Sequence, residues 1–73
     1  MPKMKKYRVT KINPDGSEEL VTERYDMDDA YTVAHLEAKA SGIQTSVSVG
    51  WLNDQDEYDD WEFMDTFEPP SEN

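Results

Sequence analysis

The sequence predicts an α+β fold, a four-stranded antiparallel sheet in the order 2-1-3-4 (β-β-α-β-β along the chain) with one helix packed on one face. Three observations predict it. A turn sequence, Asn13-Pro14-Asp15-Gly16, joins two β-prone runs near the N-terminus. A segment with a capping residue, helical apolar spacing and a closing glycine follows over residues 26–42. Two runs with period-two alternation come next, separated by a polar loop.

The first strand is Tyr7-Arg8-Val9-Thr10-Lys11-Ile12, made of β-branched, aromatic and long side chains. In the turn, Pro14 presets φ, Asp15 tolerates the next position and Gly16 takes the left-handed one, which suits a three-residue hairpin loop with a bulge. Pairing Asn13 with Ser17 sets Lys11 opposite Glu19, Val9 opposite Val21 and Tyr7 opposite Glu23. The second strand then covers residues 18–25, with Tyr7, Val9, Val21 and Tyr25 expected on the core side.

Asp26 is placed to cap a helix, and Asp28 and Asp29 in its first turn suit the helix dipole. Gly42 ends it, with Ile43 placed for the apolar contact of a Schellman ending. Met27, Ala30, Tyr31, Ala34 and Ala38 follow the spacing of a core face. Val33, Leu36 and Ala40 form a second strip about 130–140° away. Either the helix rotates to compromise between the two strips and leaves Leu36 half exposed, or the second strip is a docking or dimer surface.

The third strand is Ile43–Trp51, with Ile43, Thr45, Val47, Val49 and Trp51 on one face and polar residues on the other. Asn53-Asp54-Gln55-Asp56-Glu57 is a loop. In the fourth strand Trp61, Phe63 and Phe67 alternate with Asp60, Glu62 and Thr66. Strand order 2-1-3-4 makes every neighbour antiparallel and sets the apolar strands 1 and 3 at the centre. Residues 1–68 thus form one domain, and 69–73, Pro69-Pro70-Ser71-Glu72-Asn73, a disordered tail.

A chain of 73 residues makes one thin domain, burying only about 60% of the surface its unfolded form exposes. It has no cysteine, so disulfides and thiolate metal sites are excluded. No stretch approaches the roughly 20 apolar residues of a membrane span. Lys3, Lys5 and Lys6 lead into a strand, not into an apolar signal core. The reading is a soluble, cytoplasmic protein without membrane contact.

Charge is the dominant feature. Seventeen Asp and Glu against seven Lys and Arg give −10, beyond the magnitude of about 2–8 that keeps a small domain soluble. Residues 1–39 hold all seven bases and eight acids, a net of −1. Residues 40–73 hold the other nine acids and no base, a net of −9.

Catalytic patterns are missing. His35 is the single histidine and sits mid-helix; there is no G-x-S-x-G and no glycine-rich phosphate loop. A carboxylate acid–base pair needs a dry cleft that so small a domain has scant volume to build. Asp54, Asp56, Asp59 and Asp60 suggest a calcium loop. Counted from Asp54, however, an EF-hand would have Tyr58 at a ligand position, Asp59 in place of the glycine and Asp65 in place of the final Glu. No enzyme, cofactor or metal site is expected.

What remains is the acidic run Asp54, Asp56, Glu57, Asp59, Asp60, Glu62, Asp65 and Glu68. On a strand, same-face residues such as Asp60 and Glu62 repeat every ~6.6 Å, a rigid row of negative charge. Interleaved Tyr58, Trp61 and Phe63 anchor it or add apolar contacts. Such a row offers a nucleic-acid-binding groove much of what a phosphate backbone offers, because that affinity rests largely on neutralisation by Lys and Arg. The same charge argues against direct nucleic-acid binding. Three simpler readings compete: solubility alone, salt adaptation, and neutralisation of the chain's own Lys6 and Arg8.

In its acidic run Asp54–Glu68, and in Tyr25-Asp26-Met27-Asp28-Asp29-Ala30 entering a helix after a short hairpin, the chain resembles small acidic inhibitors of phages and other mobile elements. These include anti-CRISPR proteins, anti-restriction DNA mimics and inhibitors of host polymerase. The resemblance implies a stoichiometric blocker that occupies a basic channel and excludes nucleic acid. The expectation is therefore a non-enzymatic inhibitor, monomeric or weakly homodimeric, whose eight carboxylates meet a basic protein surface. The alternative is an assembly module that binds a protein through Val33, Leu36 and Ala40, with charge serving solubility.

Overall fold

A computed structural model describes residues 4–69. The elements are β1 (Lys5–Ile12), β2 (Glu18–Arg24), α1 (Met27–Ser41), β3 (Gln44–Leu52) and β4 (Tyr58–Phe67). The strands form one antiparallel sheet in the order β2-β1-β3-β4, with α1 on one face. The fold class and strand order are those the sequence predicts. The tail reading falls mostly on residues 70–73, outside the described residues.

The first hairpin closes as its residues dictate. Asn13 N donates to Ser17 O at 2.8 Å, Gly16 N to Asn13 O at 2.9 Å, and Gly16 has φ 93°. Asp15 accepts from both the backbone N and the Oγ of Ser17, and that pair of bonds, the hydroxyl first, holds its carboxyl below the ordinary pKa.

Lys11 faces Glu19, as its register from the turn requires, but a bulge at Val21 then shifts β2. Val9 therefore lies opposite Thr22 and Tyr7 opposite Arg24, not opposite Val21 and Glu23. Val21 still packs on the core, whereas Tyr25 is 65% exposed, a correction to its expected core place. The shifted register pairs Tyr25 with the level of Lys6, on the face away from the helix.

The helix caps follow the sequence. Asp26 accepts from Asp29 N at 3.0 Å, and Gly42, at φ 70°, donates its N–H to Ala38 O. That single bond is the αL ending and not the Schellman one; Ile43 N turns instead to Ser41 Oγ. Ala30, Ala34 and Ala38 are buried against the sheet, flanked by half-buried Tyr31 and Val33. Small side chains at these three positions bring α1 close to Val9, Val47 and Val49, and Met27 is left exposed.

Two bulges in β4 decide what its side chains face. Trp51 pairs with Asp59 and Val49 with Glu62, so Asp60 and Trp61 together oppose Gly50. Val47 pairs with Asp65 and Ser48 with Phe63, so Met64 is extra. Asp60 has φ 54°, the left-handed conformation that such a bulge requires.

Candidate acidic docking surface

Asn53 builds the tip of the β3–β4 hairpin. Its N–H donates to Glu57 O at 2.8 Å, and its carbonyl accepts from Asp56 N at 3.2 Å. Its Oδ1 accepts from Gln55 N and Glu57 N, and its Nδ2 donates to Asp59 Oδ2 at 2.7 Å. Asp56, at φ 60°, fills the position that Gly16 holds in the first hairpin. The acidic loop is thus an ordered five-residue closure, and it fixes Asp54, Asp56 and Glu57 at one end of the molecule.

All eight predicted residues, Asp54, Asp56, Glu57, Asp59, Asp60, Glu62, Asp65 and Glu68, are exposed. The row they form differs from the expected one. The bulge takes Asp60 out of step with Glu62. Asp59, Glu62 and Asp65 instead hold the ladder positions opposite Trp51, Val49 and Val47, residues of the helix-bearing side. Since those β3 residues alternate, the three carboxylates repeat every ~6.6 Å along the edge. Two bulges convert a three-residue spacing of acids into a single-sided row.

The other side of β4 is aromatic. Trp61 lies over Gly50, where a Cβ would stand 2.8 Å from its ring, and the Arg8 guanidinium is 3.9 Å from the Trp61 ring centre. Lys6 Nζ sits 4.5 Å from the Tyr58 ring and 5.5 Å from that of Tyr25. Phe63, opposite Ser48, is exposed there too. Strict alternation put Trp61, Phe63 and Phe67 on one face. Of these three aromatics Phe67 alone reaches the core, against Tyr31 at 5.4 Å, and Met64 joins it there. The signal for the aromatic cluster was a lone Gly50 inside β3, with cations alternating against Tyr7 and Val9 in β1.

Four of the bases are paired elsewhere. Lys6 and Arg8 bind Glu23 at 3.4 and 3.1 Å, Lys11 binds Glu19 and Glu37 at 3.6 Å each, and Arg24 binds Asp29 at 3.4 Å. Every acid in these pairs comes from residues 1–39, and among the described residues no member of the acidic run takes part. Neutralisation of Lys6 and Arg8 thus falls to Glu23, not to the strip.

Glu68 stands apart, at the far end of β4, lining a shallow open groove of about 500 Å³ with Ile12, Pro14, Gly42, Ile43 and Pro69. Among the described residues no three His, Asp or Glu side chains are grouped to hold a metal ion. His35 lies exposed beside Phe67, ring centres 6.0 Å apart. The Val33-Leu36-Ala40 strip is divided: Val33 packs on the core, while Leu36, at 57% exposure, and Ala40 face solvent. No described helix is long and apolar enough to cross a membrane. No protein-family model, curated protein or solved structure matches this chain.

Proposed function

We propose that the chain is a non-enzymatic inhibitor. It lays its acidic β3–β4 hairpin on the basic nucleic-acid-binding surface of a host defence or nucleic-acid-processing complex and excludes DNA or RNA, as anti-CRISPR and other DNA-mimic proteins do. The observation that carries this reading is the division of charge. The cations Lys6, Arg8, Lys11 and Arg24 are satisfied by acids of the first half, which leaves the eight carboxylates of the second half exposed and without an ion-pair partner among the described residues. The order of the hairpin supports it. The ten residues of β4 span at most about 33 Å and carry four of the eight carboxylates, roughly one per 8 Å. Asp54, Asp56 and Glu57 add three more at its closed tip, so a partner's Lys and Arg meet fixed negative charge, as they do on a phosphate backbone.

Electrostatic docking of this kind is fast, salt-sensitive and orienting. Reversing Asp56, Glu57, Asp59 and Asp60 to Lys moves the charge by +8 without touching a buried residue. At physiological salt this variant is expected to keep its circular dichroism spectrum and to lose the partner that the wild type captures from host lysate. Retention of the same partner by a folded variant would overturn the reading. A second reading rests on the exposure of Leu36: a docking module on α1, which Leu36→Asp would disable and added salt would leave intact.

A further inference from the structure

The face of the sheet away from α1 is uncovered, and its composition differs from the rest of the surface. Leu20 on β2 and Phe63 on β4 are 55% and 64% exposed, one at each edge. The ladder sets Leu20 beside Thr10 and Ser46, and Phe63 beside Ser48. Two apolar walls therefore flank a floor of small hydroxyl side chains. Tyr25, Tyr58 and Trp61 close one end around Lys6 and Arg8.

The charges on this face nearly cancel. Lys6 and Arg8 stand against Glu18 and Glu23, and Asp60, opposite Gly50 in the bulge, leaves a net of −1, while Asp59, Glu62 and Asp65 belong to the opposite side. On a chain of −10, this large surface displays little of the excess.

We propose that this face is the contact surface of a homodimer, in which two copies pack sheet on sheet. A nucleic acid is repelled by the molecule as a whole, and a basic partner is drawn to the other side of β4, where the ladder's unpaired acids stand. A second copy meets neither obstacle, because a face with nearly balanced charge does not strongly repel its own copy. A two-fold axis parallel to the strands sets β4 of each copy over β2 of the other, bringing Phe63 toward Leu20. It also holds the two acidic edges on opposite flanks, where they repel least.

The contact is modest in size. Four strands at about 4.8 Å and eight paired residues at about 3.3 Å give a flat footprint of roughly 500 Å², below the ~800 Å² per partner of a standard stable interface. The dimer is therefore weak and concentration-dependent. It does not rest on the inhibitor reading, and the two respond to salt in opposite directions. Salt weakens docking through the carboxylates but strengthens the dimer, by screening repulsion between two chains of −10.

Sedimentation equilibrium on the full chain tests this across a wide concentration range at low and high salt. The mass is expected to rise from 8.5 kDa toward twice that, at lower protein concentration when salt is added. Phe63→Asp and Leu20→Asp alter exposed side chains, so both are expected to remain folded and monomeric, whereas Leu36→Asp dimerises as the wild type does. Amide shifts followed on dilution of the wild type give a second readout that needs no variant; they are expected to centre on Leu20, Trp61 and Phe63. A monomer under every condition, dilution shifts centred on α1, or a dimer that survives Phe63→Asp would each overturn the proposal.

Discussion

Gly50 shows how one absent Cβ shapes a surface. It lies near the C-terminal end of β3 and is buried, and the Trp61 ring occupies the space that a side chain would need. Trp61 in turn gives the Arg8 guanidinium a stacking partner, a contact of about 0.5–1 kcal/mol at a partly exposed site. Gly50→Ala forces the indole outward, because the new methyl would sit 2.8 Å from ring carbons. Trp61 is half-buried on an edge strand and has room to swing, so the cost is expected near the lower end of overpacking, about 1 kcal/mol. Urea unfolding should show a lower midpoint with an unchanged slope, and tryptophan emission should shift to the red. An unchanged midpoint would mean that the ring does not rest on Gly50.

At the scale of elements, the helix and the hairpins were legible because each begins or ends on a residue with a local mechanism. Asp26 caps through its own carboxylate, Gly42 and Gly16 take positive φ, and Asn13 closes its loop. Asp26→Ala is expected to cost about 1 kcal/mol of stability, read as a lower thermal midpoint with fraying at the start of α1. An unchanged midpoint would remove the cap from the description. Register was legible only as far as the first bulge. Val21, Met64 and the Asp60–Trp61 pair interrupt alternation, and no glycine or proline marks any of them within β2 or β4 themselves. Hence alternation alone places Tyr25 on the core side, sets Trp61 and Phe63 on one face with Phe67, and draws the row of acids through Asp60 in place of Asp59. All three bulges lie in β2 and β4, the edge strands, where bulges and charge also block edge-to-edge pairing. The carboxylates of β4 serve that purpose whatever else they bind, but the acidic turn Asp54–Glu57 is not needed for it.

For the whole molecule, the division of charge between halves was visible in the sequence, but its consequence needed the ion pairs. Composition could not distinguish acids that neutralise the chain's own bases from acids left for a partner. Glu19, Glu23, Asp29 and Glu37 do the former. The eight carboxylates from Asp54 to Glu68 remain, spread along an elongated molecule of 49 × 24 × 15 Å. Exclusion of nucleic acid is the central claim, and competition measures it directly. The protein that the wild-type chain captures is titrated with double-stranded DNA in the presence and absence of the chain, at several salt concentrations. Mutually exclusive binding is predicted, with the affinity for the chain falling steeply as salt rises. A stable ternary complex of partner, DNA and chain, or an affinity indifferent to salt, would contradict it.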